Sequence, residues 1–200
     1  MEKNIELELR AEITLGRFDR LIAVLKRRGK LVSRTKRLSV MFWGKINRAE
    51  FDIRVRIGSD SDAELVAKRG DHHSYNRVET SQKILKNQFI GIVKILTLLG
   101  LKSKVTEREN FVFDLGNKIK MSLVKAKSIA YVEIEKMSHI GNVEENKEEL
   151  LKIADDFNLR VINNAEEFNE LCDRLTKFSD WNFDGSPTHV RKLAEMLKSY

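Results

Sequence analysis

The sequence predicts an α+β fold built on an antiparallel β-sheet with helices packed against it. Two observations point there. Segments in which apolar and charged residues alternate strictly recur from residue 4 to about 136, and a period of two marks a strand with unlike faces. Between and after them lie stretches of helical periodicity, the last three forming a C-terminal helical tail.

Residues 4–13 open with a strand: Ile5, Leu7 and Leu9 on one face, Glu6, Glu8 and Arg10 on the other. Residues 17–29 follow helical spacing, with Phe18, Leu21, Ile22 and Leu25 on one side. Segments 36–43, 50–57 and 62–68 read as strands, with Gly58 and the Ser59–Asp62 cluster as a hairpin connection. A short strand is expected at 76–80. A helix is expected over 82–99, where Leu85, Phe89, Val93 and Leu96 line up and Gly100 supplies a stop. Strands at 105–114 and 117–124 meet at Gly116-Asn117, and 129–136 alternates again. The tail reads as helices near 144–157, 165–177 and 188–198, with Asn164 or its neighbour capping the second and Glu167 helping. With one proline, no Ser/Gly-rich linker and no repeat, residues 1–200 are expected to form a single domain: a strand-rich core at about 4–136 and a helical part at about 142–200.

Hydrophobic residues make up 42% of the 200 residues and charged residues 34%, so there is material for a core and a large charge load besides. No apolar run approaches the roughly 18 residues of a membrane span. The start, MEKNIELELR, carries no apolar signal stretch, so the expectation is a cytoplasmic chain without a membrane partner. A lone cysteine, Cys172, excludes a disulfide framework and a Cys-rich zinc site; it reads as a half-buried helix residue. The net charge of +7 suits an anionic partner.

The polar strand faces carry the chemistry. Side chains two apart on a strand point the same way. Glu6 with Glu8 and Glu133 with Glu135 are therefore same-face carboxylate pairs; Arg54 with Arg56 is an arginine pair, and Arg77 shares a face with Glu79. Two architectures accommodate this: a sandwich whose charges face water, or a barrel whose charges line a lumen. The pattern alone favours the first, since solvated charged faces are common and a charged lumen is costly without partners. A lumen of mixed sign suits a metal-bridged polyanion, with carboxylates for a hard cation such as Mg²⁺ or Mn²⁺ and arginine forks and a lysine for phosphate oxygens.

The order of motifs resembles the CYTH superfamily, the triphosphate tunnel metalloenzymes. Glu6-Leu7-Glu8-Leu9-Arg10 is similar to the ExExK signature that opens these proteins. FDIRVR (51–56) resembles the arginine-pair strand, ELVAK (64–68) the lysine strand and RVET (77–80) the RxE element. TEREN (106–110) resembles the later basic strand and YVEIE (131–135) the late acidic strand. The resemblance runs from residue 4 to about 136. It implies an antiparallel β-barrel enclosing a tunnel, with helices outside and a helical tail, and a metal-dependent triphosphate chemistry using Mg²⁺ or Mn²⁺. Carried over, Glu6, Glu8, Glu79, Glu133 and Glu135 would be metal ligands. Arg10, Arg54, Arg56, Lys68, Arg77 and Arg108 would hold the triphosphate, with Arg10, Glu8 and Glu133 catalytic.

Three departures bear on turnover. Arg10 stands where the signature has lysine, and arginine does not readily release its proton. The window Met121-Ser122-Leu123 lacks the carboxylate usual before the late acidic pair, and Thr106 stands where a lysine is usual, although Lys104 is near. The resemblance thus implies a triphosphatase, weakened in turnover, acting on tripolyphosphate, thiamine triphosphate or a nucleoside triphosphate. Adenylyl cyclisation and a non-catalytic nucleotide- or polyphosphate-binding module are the alternatives. The expected partner is a triphosphate-bearing small molecule, with an RNA 5′-triphosphate ranked lower, bound to a monomer or homodimer. A basic RNA-binding barrel ranks last because stacking aromatics are few. Elsewhere, His72-His73 with Asp71 reads as a solvated loop pair ahead of a metal site, Trp43 and Phe42 as core or rim packing at a strand end ahead of base stacking at a tunnel mouth, and Trp181 with Phe183 as an anchor for the tail.

Overall fold

The structure, a computed structural model, describes residues 4–46, 49–59, 62–70 and 78–200. The chain opens with β1 (Asn4–Ile13), which covers the predicted first strand, and α1 (Leu15–Arg28). Thr14 caps α1 by accepting a hydrogen bond from the Arg17 N–H, satisfying one orphan donor of the first turn. Strands β2 (Lys30–Ile46), β3 (Ala49–Gly58), β4 (Ala63–Arg69) and β5 (Val78–Ile84) follow. Next come α2 (Phe89–Thr97), β6 (Lys102–Gly116), β7 (Ile119–Ala126) and β8 (Ile129–His139). The tail holds α3 (Val143–Asp156), α4 (Ala165–Phe178), the two-residue β9 (Trp181–Asn182) and α5 (Pro187–Leu197). As expected, the Asn164 side chain accepts from the Glu167 N–H to cap α4.

One expectation fails. The helix read over 82–99 begins only at Phe89, because Ser81–Ile84 continue β5 and pair with Ala63–Val66 of β4. Leu85, counted toward the apolar stripe, is 65% exposed; Phe89 and Val93 are the buried members. Sheet pairing outweighed the local periodicity.

The strands form one antiparallel sheet in the order β1-β8-β7-β6-β2-β3-β4-β5, with β9 attached to β6. The β6–β7 hairpin turns through Asn117 and Lys118, both at positive φ (50° and 62°), the twist of a tight hairpin. Among the described residues the sheet is not closed by hydrogen bonds, since its end strands β1 and β5 do not pair. Side chains span that seam instead: Lys68 of β4 lies 2.5 Å from Glu79 of β5 and 3.7 Å from Glu6 of β1.

Alternation gives the sheet two unlike faces. Leu7, Leu9, Phe113, Met121, Val132 and Ile134 bury one face against α1 and α3. Leu38, Val40, Phe42, Val55 and Ile57 bury the same face farther along, against α2 and α5. The opposite, concave face carries the charged residues and lines a cavity of about 650 Å³. One helix departs from this arrangement. Leu171 and Leu175 of α4 pack on Val124, Ala126, Ile129 and Tyr131 and also line the cavity, so α4 lies on the concave face.

The chain path explains how α4 gets there. After α3, Val161 bridges to Ala11, and the Ile162 N–H donates to the Arg10 carbonyl, so the connector runs along the free edge of β1 at the seam. After α4, Trp181 and Asn182 pair with Val105 and Lys104 of β6, on the edge that β7 leaves unpaired because it meets β6 only from Glu109 onward. Phe183 then anchors the tail in the outer core, as expected for this aromatic pair. No helix among the described residues is long and apolar enough to cross a membrane.

Candidate functional site

Each strand delivers its alternate residues to the cavity. β1 contributes Glu6, Glu8 and Arg10; β3 Arg54 and Arg56; β4 Glu64 and Lys68; β5 Glu79; β6 Lys104, Thr106 and Arg108; β8 Tyr131, Glu133 and Glu135. The site residues expected from the sequence therefore converge on one cavity. The exception is Arg77, which lies outside the described residues, as do Asp71, His72 and His73.

The charges are paired in space as they are sorted in sequence. Arg10 is 2.6 Å from Glu8 and 3.5 Å from Glu133, its Cα partner across the β1–β8 ladder, and lies over the Phe168 ring of α4 at 5.0 Å. Arg54 grips the fully buried Asp52 on its own strand. Arg56 lies 2.5 Å from Glu64 and 3.7 Å from Glu79. Arg108 holds Asp180, which follows α4, at 2.7 Å, and Lys104 lies 3.1 Å from the same carboxylate.

Crowding shifts the titrations. Burial pushes the Glu8 carboxyl up to about 8, and the neighbouring Glu133 adds to the rise against the pull of Arg10. Burial also opposes ionisation of Glu133, but Arg10, a hydrogen bond from Glu8 and Arg37 outweigh it, and its carboxyl sits below the ordinary range. Glu135 is raised by burial and by Glu6 and Glu133. Glu79 is lowered on balance, since Lys68 and Arg56 overcome its burial. The shifts are divided: Glu8 and Glu135 are raised, while Glu133 and Glu79 are held down by neighbouring cations.

The cluster tests a divalent metal. Its donors are hard carboxylate oxygens, the right chemistry for Mg²⁺ or Mn²⁺, and Glu8 and Glu133 are close enough to share a hydrogen bond. Among the described residues, however, no three carboxylate, histidine or cysteine side chains stand together as a preformed metal site. Arg10 and Lys68 act as their counter-ions instead. The donor set fits the ion in type; the grouping of three is not assembled.

Several cavity residues escaped the sequence reading. Arg37 of β2 sits beside Arg108 in the sheet register, and burial together with Arg56 depresses its pKa. Among the described residues it makes no salt bridge, and Glu133 is the first carboxylate that offsets its burial. Its signal was present: Arg37 shares the polar parity of β2 with Ser39, opposite Leu38 and Val40. The α4 residues Phe168 and Cys172, and Asp180, which binds the lining residues Lys104 and Arg108 without lining the cavity itself, gave no such signal, because nothing in a helical pattern says which face of a sheet the helix will cover. Ser122, in the window lacking a carboxylate, lines the cavity opposite Glu133, and Trp43 lines it with the Lys104 ammonium 5.7 Å from its ring.

No family model matches the chain, and no curated protein matches it in sequence. Solved structures do match. The PH1012 protein of Pyrococcus horikoshii superposes with a TM-score of 0.62 at 18% identity, covering 78% of this chain and 91% of that one. A candidate adenylate cyclase from Vibrio parahaemolyticus gives 0.61 at 12% identity, over 84% of this chain and 98% of that one. A candidate adenylyl cyclase from Hippeastrum, described as having a dominant triphosphatase activity, gives 0.52 at 14% identity, over 86% and 96%. These likenesses define the class of architecture: an α+β triphosphate-tunnel sheet. The chain has a CYTH-like fold.

Proposed function

We propose that this protein binds a linear triphosphate together with Mg²⁺ or Mn²⁺ in the concave cavity and hydrolyses its terminal phosphoanhydride. The observation that carries the reading is the meeting, in one cavity, of the Glu6/Glu8/Glu133/Glu135 carboxylates with the Arg37/Arg54/Arg56/Lys68 cations. The compensation is uneven: burial raises Glu8 despite Arg10, and Arg37 makes no salt bridge among the described residues and is attracted chiefly by Glu133. A metal-bridged polyanion supplies charge of both signs.

The arginines and Lys68 would hold phosphate oxygens through charge-assisted hydrogen bonds. Glu6, Glu8, Glu133 and Glu135 would hold the ion, with Glu79 at the edge. A bound divalent ion supplies Lewis-acid stabilisation of phosphoryl charge and orientation of the attacking water. Arg10 would stabilise charge on the transferred group while keeping its proton. In the overall reaction water adds to the terminal phosphorus, the bridging P–O bond breaks, and the diphosphate-bearing fragment leaves with its electron pair.

One observation favours a second reading, binding without turnover: Arg10 engages both Glu8 and Glu133, two of the proposed ligands. The deciding assay offers tripolyphosphate, thiamine triphosphate and ATP with each metal and measures phosphate, pyrophosphate and cyclic nucleotide. Phosphate release supports hydrolysis, pyrophosphate with cyclic AMP supports cyclisation, and tight binding without product supports the second reading. Failure of all three to bind would end the proposal.

A further inference from the structure

The basic wall of the cavity is continuous. Arg108 and Arg37 are Cα partners across β6 and β2, while Ser39, two residues from Arg37, pairs with Arg56. Cations therefore run from Lys104 and Arg108 through Arg37 to Arg56 and Arg54. One end of this row already holds an anion. The Asp180 carboxylate is fully buried and takes both arms of the Arg108 fork, at 2.7 and 3.1 Å, with the Lys104 ammonium 3.1 Å from the second oxygen. Ser179 and Thr176 accept further hydrogen bonds from the same two cations, at 3.4 and 3.0 Å. A two-armed grip on paired oxygens is the way a guanidinium holds phosphate. In the middle of the row Arg37 makes no salt bridge among the described residues and is attracted chiefly by Glu133, while at the far end Arg54 holds Asp52 and Arg56 holds Glu64.

We propose that Asp180 is an internal phosphate surrogate: it occupies Lys104 and Arg108, withholds them from the ligand, and so limits the length of phosphate chain the cavity rewards. The inference rests on the triphosphate reading above and goes beyond it by naming the residue that sets chain length. A phosphate chain seated on Arg54, Arg56 and Arg37 would, if lengthened toward Arg108, bring a new negative charge against a buried carboxylate. That repulsion cancels the gain from the added phosphate. Asp180 acts through charge occupancy, and α4 with the β9 pairing holds it in place.

The test is calorimetric titration of the full chain with tripolyphosphate and tetrapolyphosphate at fixed free Mg²⁺. The wild type is expected to bind the two within about threefold of each other. Asp180→Asn, which keeps the shape and removes the charge, is expected to favour tetrapolyphosphate by about tenfold, equivalent to about 1.4 kcal/mol. Lys104→Met, in which Asp180 keeps Arg108, is expected to leave tripolyphosphate affinity within about twofold, and it decides the matter should Asp180→Asn fail to fold. Three results overturn the proposal: a wild type that gains tenfold or more from the fourth phosphate, an Asp180→Asn protein that weakens for both ligands equally, or a Lys104→Met protein that loses tripolyphosphate binding. The second would make Asp180 a positioning residue for Arg108. A wild type that binds neither polyphosphate would instead sink the triphosphate reading itself.

Discussion

The ammonium of Lys68 stands 3.7 Å from the carboxylate of Glu6, and that pair links β1, one end strand of the hydrogen-bonded sheet, to β4, the strand next to the other end. The same ammonium lies 2.5 Å from Glu79 on the terminal strand. The seam is thus crossed by charge where no backbone ladder crosses it, and the residues that do so are the ones expected to meet the ligand.

Lys68→Met should therefore act on fold and site together. Losing the cation that pairs with Glu79 and Glu6 should lower unfolding free energy by about 1.5–3 kcal/mol, the usual worth of a hydrogen bond to a charged group such as that with Glu79. It should also weaken triphosphate binding at least tenfold. Urea denaturation and calorimetry read the two effects separately; an unchanged midpoint would mean the seam needs no such tie.

The Glu8 carboxyl, raised by burial from an ordinary 4.5 to about 8, gives a signed pH dependence. The folded state binds this proton more tightly than the unfolded state, so the stabilisation is complete below about pH 4 and is lost as pH rises toward 8. The melting temperature of metal-free wild type should fall relative to Glu8→Gln across pH 5 to 8. Parallel curves for the two proteins would refute the shift.

Arg37→Gln removes a cation that burial and Arg56 already disfavour. Its unfolding midpoint should change little, because relief of the cation's desolvation is offset by the loss of a charge that favours the Glu133 carboxylate. Triphosphate affinity should nevertheless drop tenfold or more. A variant that binds normally would place Arg37 outside the ligand's reach.

Removal of divalent metal should matter through the carboxylates. Mg²⁺ or Mn²⁺ at a hundred times its dissociation constant should stabilise the wild type by about 2.7 kcal/mol, and Glu133→Gln should lose most of that gain. Equal stabilisation of both proteins, or metal-dependent phosphate release that survives Glu8→Gln and Glu133→Gln, would remove these residues from the metal site.

Leu171 is 1% exposed and seats α4 on the concave face. Leu171→Ala should cost about 2–5 kcal/mol, the range for truncating a buried leucine. If the loss is confined to α4, hydrogen exchange should accelerate at 165–178 while β6–β8 stay protected.

Much of this architecture was legible in one dimension. Strict alternation placed β1 at residues 4–13, and parity alone put Glu6, Glu8, Arg54, Arg56, Glu133 and Glu135 on the cavity side. Parity is a local consequence of backbone geometry, so it survives without a structure. The helix expected over 82–99 misled because a 3.6-residue period in Leu85, Phe89 and Val93 carries no information about whether β4 still offers an unpaired edge as far as Ala63. The placement of α4 and the reach of Asp180 to Arg108 were invisible for a related reason. They depend on which sheet edges remain open after β1 and β7 have paired, a property of the assembled sheet.

The route of the tail has a consequence for biosynthesis. Asp180 lies 72 residues downstream of Arg108, so the basic wall emerges from the ribosome well before its acidic companion. During that interval Lys104 and Arg108 lack their carboxylate, whereas Arg54 and Arg56 already have Asp52 and Glu64, which precede them or follow closely in the chain. The last segment therefore does more than add helices: it delivers the counter-charge for one stretch of the basic wall.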